Sequence, residues 1–327
     1  MDLLRGFAMI QVVLAHTMTG STTNAEDTLL YNFIWSITNP LLFMISGYVT
    51  KYSQPPEKIG QLWTLLKKRT SAYLLPWAVW SFLIRGMLLG ETAYFDLKNM
   101  LWHMDTGYWF LISLWTISAV FAAAQFLSTT FGTEKWKCRG VLWGTYGMGM
   151  VCLLGVGLFA GLTFWNIKQT LYYMLHFAVG VVFAEIEPML EKKKLYCMTA
   201  AWMTAAVYMG ILLNVKLFEI SDDAVGIVLR GFSGVCGGFC LYGIASRIPK
   251  SHPVCSVVAW LGRNSLGIYL SHNIFLHMMQ SPVMLPINSM QGYFTVAGKA
   301  TVTLGLSSLL SWGMERCLII RKLCLGK

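Results

Sequence analysis

Long apolar stretches separated by short polar connections dominate the sequence. The hydrocarbon core of a membrane requires about 20 apolar residues per helix. Stretches of this kind predict an all-α, polytopic membrane protein with about ten transmembrane helices. A membrane β-barrel would instead alternate apolar and polar residues. The predicted spans are 3–20, 28–50, 70–90, 107–128, 140–161, 169–186, 195–215, 224–246, 264–281 and 293–315.

Two shorter segments lie between these spans. We expect residues 92–105 to form an interfacial helix or a re-entrant loop. We expect residues 251–263 to form a short helix at the membrane surface. The sequence contains no internal repeat and no domain linker, so we expect one membrane-embedded domain over 1–327 without a separate soluble domain. The first apolar helix begins almost at Met1, so no cleavable signal peptide is expected.

The positions of the basic residues predict the orientation. With the N-terminus inside, 19 of the 25 Lys and Arg residues fall on the cytoplasmic side and only Arg85, Lys98, Lys168 and Lys216 on the outer side. Such a bias predicts that both termini are cytoplasmic. The cytoplasmic residues are Arg5, Lys51, Lys58, Lys67, Lys68, Arg69, Lys135, Lys137, Arg139, Lys192, Lys193, Lys194, Arg247, Lys250, Arg263, Arg316, Arg321, Lys322 and Lys327.

Composition supports the membrane interpretation. Hydrophobic residues make up 56% of the chain and charged residues 12%, which is too little charge to cover a soluble protein of this size. The net charge of +10 comes mainly from short basic clusters between apolar stretches, so we do not expect a nucleic-acid partner. The eight cysteines include no CxxC pair and no Cys/His group with zinc spacing, so neither a metal site nor a disulfide framework is expected.

Ionisable residues inside a span mark candidate functional positions, because charge is costly in lipid. Arg5 and His16 are eleven residues apart, which places both on one face of a helix about 16 Å apart along its axis. One stripe thus carries a fixed cation and a titratable base. The alternative is that Arg5 snorkels to the membrane surface and His16 makes a helix contact.

Several further positions suggest a donor site or a pocket, each with a structural alternative. Ser46 and Tyr48 end the second span, where small residues also permit close helix packing. Lys67, Lys68 and Arg69 form a loop before the third span, and they suit either phosphates or a topology signal. Aromatic residues open the fourth span and suit an interfacial belt. A pocket that either binds the substrate or has a structural role is predicted at Trp109, Arg230, Tyr269, His272 and Lys299.

In this order, these motifs make the chain resemble the acyltransferase 3 family of integral membrane acyltransferases. The resemblance covers nearly the whole chain, and five motifs occur in sequence. They are Asp2-Leu-Leu-Arg5-Gly6-Phe-Ala8 with His16, Pro40-Leu-Leu-Phe43-Met-Ile-Ser46-Gly47-Tyr48, Arg69 before Pro76, Tyr108-Trp109-Phe110-Leu111, and Leu261-Gly262 with Ser265, Ile268-Tyr269-Leu270 and His272.

The resemblance implies an activity and roles for individual residues. His16 corresponds to the catalytic histidine and Arg5 to its partner in the motif. The family uses an acyl donor, commonly cytoplasmic acetyl-CoA, and modifies hydroxyl groups of glycans or other envelope molecules. Ala72 stands where many members carry a second arginine. No bound cofactor is implied, because acyl-CoA is a substrate.

The chemistry of the residues is compatible with this activity. Histidine suits the removal of a hydroxyl proton near neutral pH, and a cytoplasmic cationic rim of Arg5, Lys67, Lys68 and Arg69 suits polyanionic coenzyme A. Arg230 or Lys299 could stabilise negative charge on the thioester oxygen. We therefore expect a multi-pass O-acyltransferase of the cell membrane that modifies envelope polysaccharide. The alternative is a transporter or flippase for an anionic envelope precursor. Two observations argue against a transporter: the sequence has no internal repeat, and no Asp or Glu lies in the middle of a predicted span.

Overall fold

A computed structural model describes residues 1–88, 90, 96–102, 108–132, 134–191, 194–220, 222–249, 251–280 and 283–327. The structure is 84% helical. Lys192, Lys193 and Lys250, which contribute to the predicted charge bias, lie outside the described residues. So do 92–95 and 103–105, which are half of the predicted segment 92–105.

Thirteen α-helices are described over these ranges. They are α1 Asp2–Ser21, α2 Leu29–Tyr48, α3 Ile59–Ala78, α4 Leu97–Trp102, α5 Trp109–Phe131, α6 Lys135–Ala160, α7 Ile167–Glu191, α8 Lys194–Asn214, α9 Ala224–Ala245, α10 Pro253–Arg263, α11 Ser265–Met278, α12 Met290–Arg316 and α13 Leu318–Leu325. A π-helical segment, Val79–Leu88, continues α3, and two short strands, β1 Thr22–Thr23 and β2 Leu285–Pro286, are also present.

Each predicted span falls on a helix, and the short segment 251–263 corresponds to α10. The main difference concerns α3, which begins at Ile59 rather than near residue 70. The side-chain oxygen of Gln61 accepts the backbone N–H groups of Glu57 at 2.8 Å and of Lys58 at 3.2 Å, which caps the helix at this earlier point. The prediction that Lys67 to Arg69 form a loop is therefore wrong: they are helical.

Among the described residues, five helical stretches are long and apolar enough to cross a membrane. They are Leu29–Tyr52, Trp109–Phe131, Lys135–Ala160, Phe164–Met189 and Ala224–Ala245. This number supports an all-α, multi-pass membrane protein. The full set of ten spans and the cytoplasmic location of both termini stay predictions.

The chain divides into two compact units, and the single-domain expectation stays a prediction. The first unit contains Met1–Thr50 and His176–Met314, and the second contains Lys51–Leu175 and Glu315–Lys327. In the first unit, the helix α1 packs against α2, α10 and α11. In the second, α5 packs against α3 and α6.

Backbone contacts fix the position of α1 beside α10. A side chain at Gly6 would meet the carbonyl oxygen of Val258 at 1.8 Å, and one at Gly262 would meet that of Asp2 at 1.9 Å. Only glycine permits this approach from both helices. The helix α10 is thereby held against the end of α1 that carries Arg5.

The helix α2 packs between the part of α7 that belongs to the first unit and α9. A Cβ atom at Gly47 would lie 2.0 Å from the carbonyl oxygen of Phe177, and one at Gly180 would lie 1.9 Å from that of Met44. The predicted close helix approach at Gly47 is thus confirmed. On the α9 side, Gly234 faces the ring of Pro40.

Hydrogen bonds between polar side chains organise the second unit. The Ser113 hydroxyl of α5 accepts the amide N–H of Asn166 and the hydroxyl of Thr170, each at 3.0 Å, and all three side chains are buried. The indole N–H of Trp80 donates to the carbonyl of Cys324 at 3.0 Å, which ties the C-terminal helix α13 to the π-helical segment.

Candidate active site

The continuous helix α1 carries both members of the predicted Arg–His pair. Its uninterrupted course from Asp2 to Ser21 places Arg5 and His16 on one face, as the spacing predicts. His16 is exposed, together with Thr19 and Gly20 at positions that follow the helical period. The side chain of His16 is therefore accessible rather than enclosed in the core.

His16 contacts a second histidine. The ring centroids of His16 and His272 are 5.2 Å apart with an interplanar angle of 41°, which joins α1 to α11. His272 is buried, with 1% of its surface exposed. Nδ1 of His272 lies 2.6 Å from the carbonyl oxygen of Tyr269, and the Tyr269 ring is 6.0 Å away. The three residues that the sequence placed at a site are thus adjacent.

The hydrogen bond to Tyr269 assigns the tautomer of His272. A carbonyl oxygen only accepts, so Nδ1 of His272 carries a proton and donates it to the Tyr269 carbonyl. Nε2 is shielded from solvent. The accessible ring of His16 therefore contacts the buried ring of His272. The orientation of the His272 ring is fixed by the hydrogen bond to its own helix.

Arg5 lies at the other end of α1. Its Nη1 is 3.5 Å from Oδ1 of Asp2, and about a third of the side chain is exposed (31%). A contact this long between partly exposed groups contributes little to stability. The guanidinium therefore retains donors that can bind an anion.

Ser46 and Tyr48 differ in what they contact. The Ser46 hydroxyl donates to the carbonyl of Leu42 at 2.8 Å, within its own helix. The Tyr48 hydroxyl donates to Oε2 of Glu187 at 2.5 Å, and the other carboxylate oxygen accepts from Tyr242. Glu187 thus joins α2, α7 and α9. Sequence reasoning missed Glu187, although a carboxylate at the end of an apolar helix is a signal for a buried partner.

Lys67, Lys68 and Arg69 belong to the second unit. Both lysines are exposed, with the ammonium of Lys67 5.4 Å from the ring centroid of Trp63. Arg69 is half-buried and donates to the Tyr73 hydroxyl at 3.2 Å. Across the described residues, none of these three cations forms an ion pair. They leave positive charge available to a ligand.

Trp109 also lies in the second unit and stacks on Tyr173, with ring centroids 5.7 Å apart at 22°. The neighbouring Tyr108 and Leu111 are 2% and 1% exposed. The expected aromatic belt is therefore wrong for Tyr108, because this ring packs in the protein interior. The Tyr108 ring contacts Trp80, with centroids 6.3 Å apart.

Arg230 forms an ion pair with Asp222, just before the start of α9. Its guanidinium carbon also lies 5.9 Å from the centre of the Trp35 ring. The guanidinium of Arg230 is therefore bound by groups of the protein itself. The stabilisation of a thioester oxygen by Arg230 stays a prediction.

Lys299 of α12 is half-buried, and its ammonium donates to the Ser21 hydroxyl at 3.2 Å. Ser21 is the last residue of α1, where the free carbonyl groups and the helix dipole attract a cation. This contact explains how the charge is accommodated without an acidic partner in the described part of the chain. A role of Lys299 at the thioester stays a prediction.

The buried amides Asn32 and Gln11, like Asn166 above, were not identified from the sequence. Asn32, 4% exposed, donates to the carbonyls of Leu212 and Val215 at 3.1 and 2.8 Å and accepts the N–H of Leu217 at 2.9 Å. Gln11, 3% exposed, accepts the Thr38 hydroxyl at 3.2 Å. The signal in the sequence for both residues was a polar side chain within an apolar span, which indicates a hydrogen bond between helices.

The loop that Asn32 holds also carries an exposed charge cluster. Lys216 donates to Asp27 at 2.8 Å and to Glu219 at 3.2 Å. The hydrogen bond to Asp27, followed by that to Glu219, raises the pKa of Lys216. This cluster links the segment after α8 to the turn before α2.

Comparison with known families gives one match. Residues 1–312 match the family model Acyl_transf_3, described as an acyltransferase domain. No curated protein and no solved structure matched the chain. Because the family model covers almost the whole sequence, including α1 with Arg5 and His16, the chain belongs to the acyltransferase 3 family and is a membrane O-acyltransferase.

Proposed function

We propose that this enzyme transfers an acyl group, acetyl by preference, from cytoplasmic acyl-CoA to a hydroxyl group of an extracytoplasmic glycan or other envelope molecule. The observation that carries the proposal is the exposed ring of His16. This ring lies on the same helix as Arg5 and contacts the ring of His272 on α11. An acyl donor and a hydroxyl acceptor are what the family implies. We place the enzyme in the cytoplasmic membrane, where coenzyme A is available on one side.

His16 acts as the general base in this mechanism. It accepts the proton of the acceptor hydroxyl while the oxygen forms a bond to the acyl carbon. The carbon–sulfur bond of the thioester then breaks, and protonated His16 returns the proton to the leaving thiolate. The products are an ester and free CoA thiol, so no further reactant is required.

Arg5 serves the donor in this mechanism rather than the reacting atoms. A separation of about 16 Å along α1 is too long for Arg5 to contact a group bound at His16. It is comparable with the length of an extended pantetheine arm, so the phosphates of CoA can bind at Arg5 while the thioester reaches His16. A guanidinium is well suited to phosphate oxygens.

The proposal gives the cations of the second unit a separate role, the attraction of the donor. Lys67, Lys68 and Arg69 lie at the middle of α3, and the charge distribution predicts them to be cytoplasmic. Exposed cations without ion pairs attract an anion at long range, and salt weakens this attraction. The proposal assigns them to capture of CoA before it binds.

Reconstitution of the purified chain in proteoliposomes tests the function. Acetyl-CoA labelled in the acetyl group is supplied on one side, and envelope glycans on the other. The proposal predicts free CoA on the donor side and labelled, hydroxylamine-labile esters on the acceptor side. Movement of unmodified glycan without CoA release would instead identify a transporter. Mass spectrometry of glycans from cells with and without the gene identifies the acyl group and the acceptor.

A further inference from the structure

We propose that the capture site on α3 recognises the nucleotide part of the donor: the adenine ring of CoA stacks on the indole of Trp63, and the phosphates bind Lys67 and Lys68. The inference rests on the proposed function, which assigns the cations of α3 to the capture of CoA. It adds Trp63 as the residue that determines which part of the donor is recognised.

The first argument comes from the exposure of Trp63. This residue is 59% exposed, although tryptophan is highly buried on average in folded proteins. Lys67, one turn further along α3, holds its ammonium 5.4 Å from the centroid of the indole. Side chains four residues apart lie on the same face of a helix. An accessible aromatic ring and an accessible cation are therefore neighbours on one face of α3.

The second argument comes from a comparison with a similar pair at the start of α6. The ammonium of Lys137 lies 5.3 Å from the ring centroid of Trp136, which is 68% exposed. There Glu134 accepts a hydrogen bond from the indole N–H and forms an ion pair with Lys137 at 3.3 Å. Within the described ranges, Lys67 has no ion pair. The charge beside Trp63 is thus left for an anion, whereas the charge beside Trp136 is compensated.

The third argument comes from the effect of an anion on the contact between Lys67 and Trp63. A cation–π contact at an exposed site is weak, and a phosphate binds an ammonium group by a stronger, charge-assisted hydrogen bond. A bound phosphate therefore draws the ammonium of Lys67 away from the ring. The face of the indole that the ammonium covered becomes available to a nucleobase, and aromatic side chains bind nucleobases by such stacking.

The fourth argument comes from the spacing of the two groups. Trp63 and Lys67 are four residues apart, which is about 6 Å along the helix axis. In CoA a single ribose lies between the adenine and the phosphates, so one ligand can contact both side chains. Pantetheine contains neither an aromatic ring nor a phosphate. The site therefore selects the nucleotide end of the donor and leaves the thioester end free.

Binding of adenosine bisphosphate, which carries adenine and phosphate groups without the pantetheine arm, tests the site without transfer. Isothermal titration calorimetry is carried out on the full-length protein in detergent, with thermal unfolding as the check of the fold. We expect Trp63→Ala to weaken binding about tenfold, and Trp63→Phe, which keeps a stacking face, to recover most of that loss.

Trp136→Ala is the matched control, because it removes an equally exposed indole that also contacts a lysine. This variant should bind adenosine bisphosphate as the wild type does. Equal affinities of the wild type and Trp63→Ala overturn the proposal. So do equal losses in Trp63→Ala and Trp136→Ala.

Turnover of two donors separates recognition of the nucleotide from a structural role of Trp63. Trp63→Ala should raise KM for acetyl-CoA about tenfold with kcat little changed, and should leave turnover of acetyl-pantetheine at the wild-type level. A loss of the same size for both donors would make Trp63 a structural residue and overturn the proposal. If no transfer occurs but adenosine bisphosphate binding depends on Trp63, the proposed function fails and this inference stands. Transfer together with binding that is independent of Trp63 gives the reverse.

Discussion

Thr22, which follows the end of α1, pairs with Leu285 in a short parallel bridge, and Thr23 pairs with Pro286. The segment after the first helix and the segment before the last long helix are therefore on the same side of the membrane. Both were predicted to be outside from the distribution of basic residues. The bridge makes the two predictions dependent on each other.

Cysteine labelling tests this topology. In a background without native cysteines, Asn24→Cys and Asn288→Cys, both exposed positions, should react with an impermeant maleimide in intact cells. Lys58→Cys, also exposed but predicted cytoplasmic, should react only after permeabilisation. If the first two positions label on opposite sides, the bridge is wrong; if both need permeabilisation, the orientation is inverted.

The contact of Gly47 with Phe177 predicts a loss of stability on substitution. Gly47→Ala introduces a methyl group 2.0 Å from a carbonyl oxygen, and the helices must separate. We expect a decrease in the free energy of unfolding of about 1–3 kcal/mol. Gly210→Ala is the matched control, because a Cβ atom there meets no atom within 4 Å. Denaturant unfolding in detergent measures both, and equal stabilities would contradict the contact.

Asn32 predicts a second loss of stability. Asn32→Ala removes three hydrogen bonds and leaves the buried N–H of Leu217 without its acceptor. Each unsatisfied buried group costs about 1–3 kcal/mol, so thermal unfolding should begin at a clearly lower temperature. Asn214→Ala is the control, since this exposed amide binds only the Gly210 carbonyl of its own helix. A shift of the same size in both variants would show that Asn32 does not anchor the loop.

The cations of α3 predict a change in donor affinity. Reversal of charge at Lys67, Lys68 and Arg69 should raise KM for acetyl-CoA about tenfold or more, with kcat little changed, and the effect should shrink as salt increases. Reversal at Lys135, Lys137 and Arg139 changes the net charge equally and serves as control. An unchanged KM in the first variant would leave its residues with a topological role only. Equal effects in both would indicate a non-specific attraction.

The sequence was sufficient to predict a helix over each long apolar stretch, because apolar length is a local property that a membrane enforces; the short helix α13 was not predicted. It failed at the start of α3, since the residues from Ile59 onward mix polar and apolar side chains and are helical through the cap at Gln61. Hydropathy detects lipid contact rather than helix formation. This is also why the cations of α3 were assigned to a loop.

The relative placement of the candidate residues could be predicted where one helix carries them and could not be predicted where helices meet. The spacing of Arg5 and His16 fixes their common face. The contact of His16 with His272 depends on how α11 packs on α1, at opposite ends of the chain, and no local pattern contains it. The same holds for Tyr48 and Glu187.

The most direct test of the central claim is turnover of radiolabelled acetyl-CoA by His16→Ala and His16→Gln, normalised to folded protein. General base catalysis contributes about 10²–10⁴-fold, so the account predicts a loss of this size in His16→Ala. Glutamine can form hydrogen bonds but cannot act as a base, so His16→Gln should be nearly as inactive as His16→Ala. His277→Ala, which removes an exposed histidine of α11, should retain wild-type activity. Activity of His16→Ala within about threefold of the wild type would contradict the assignment of His16 as the base.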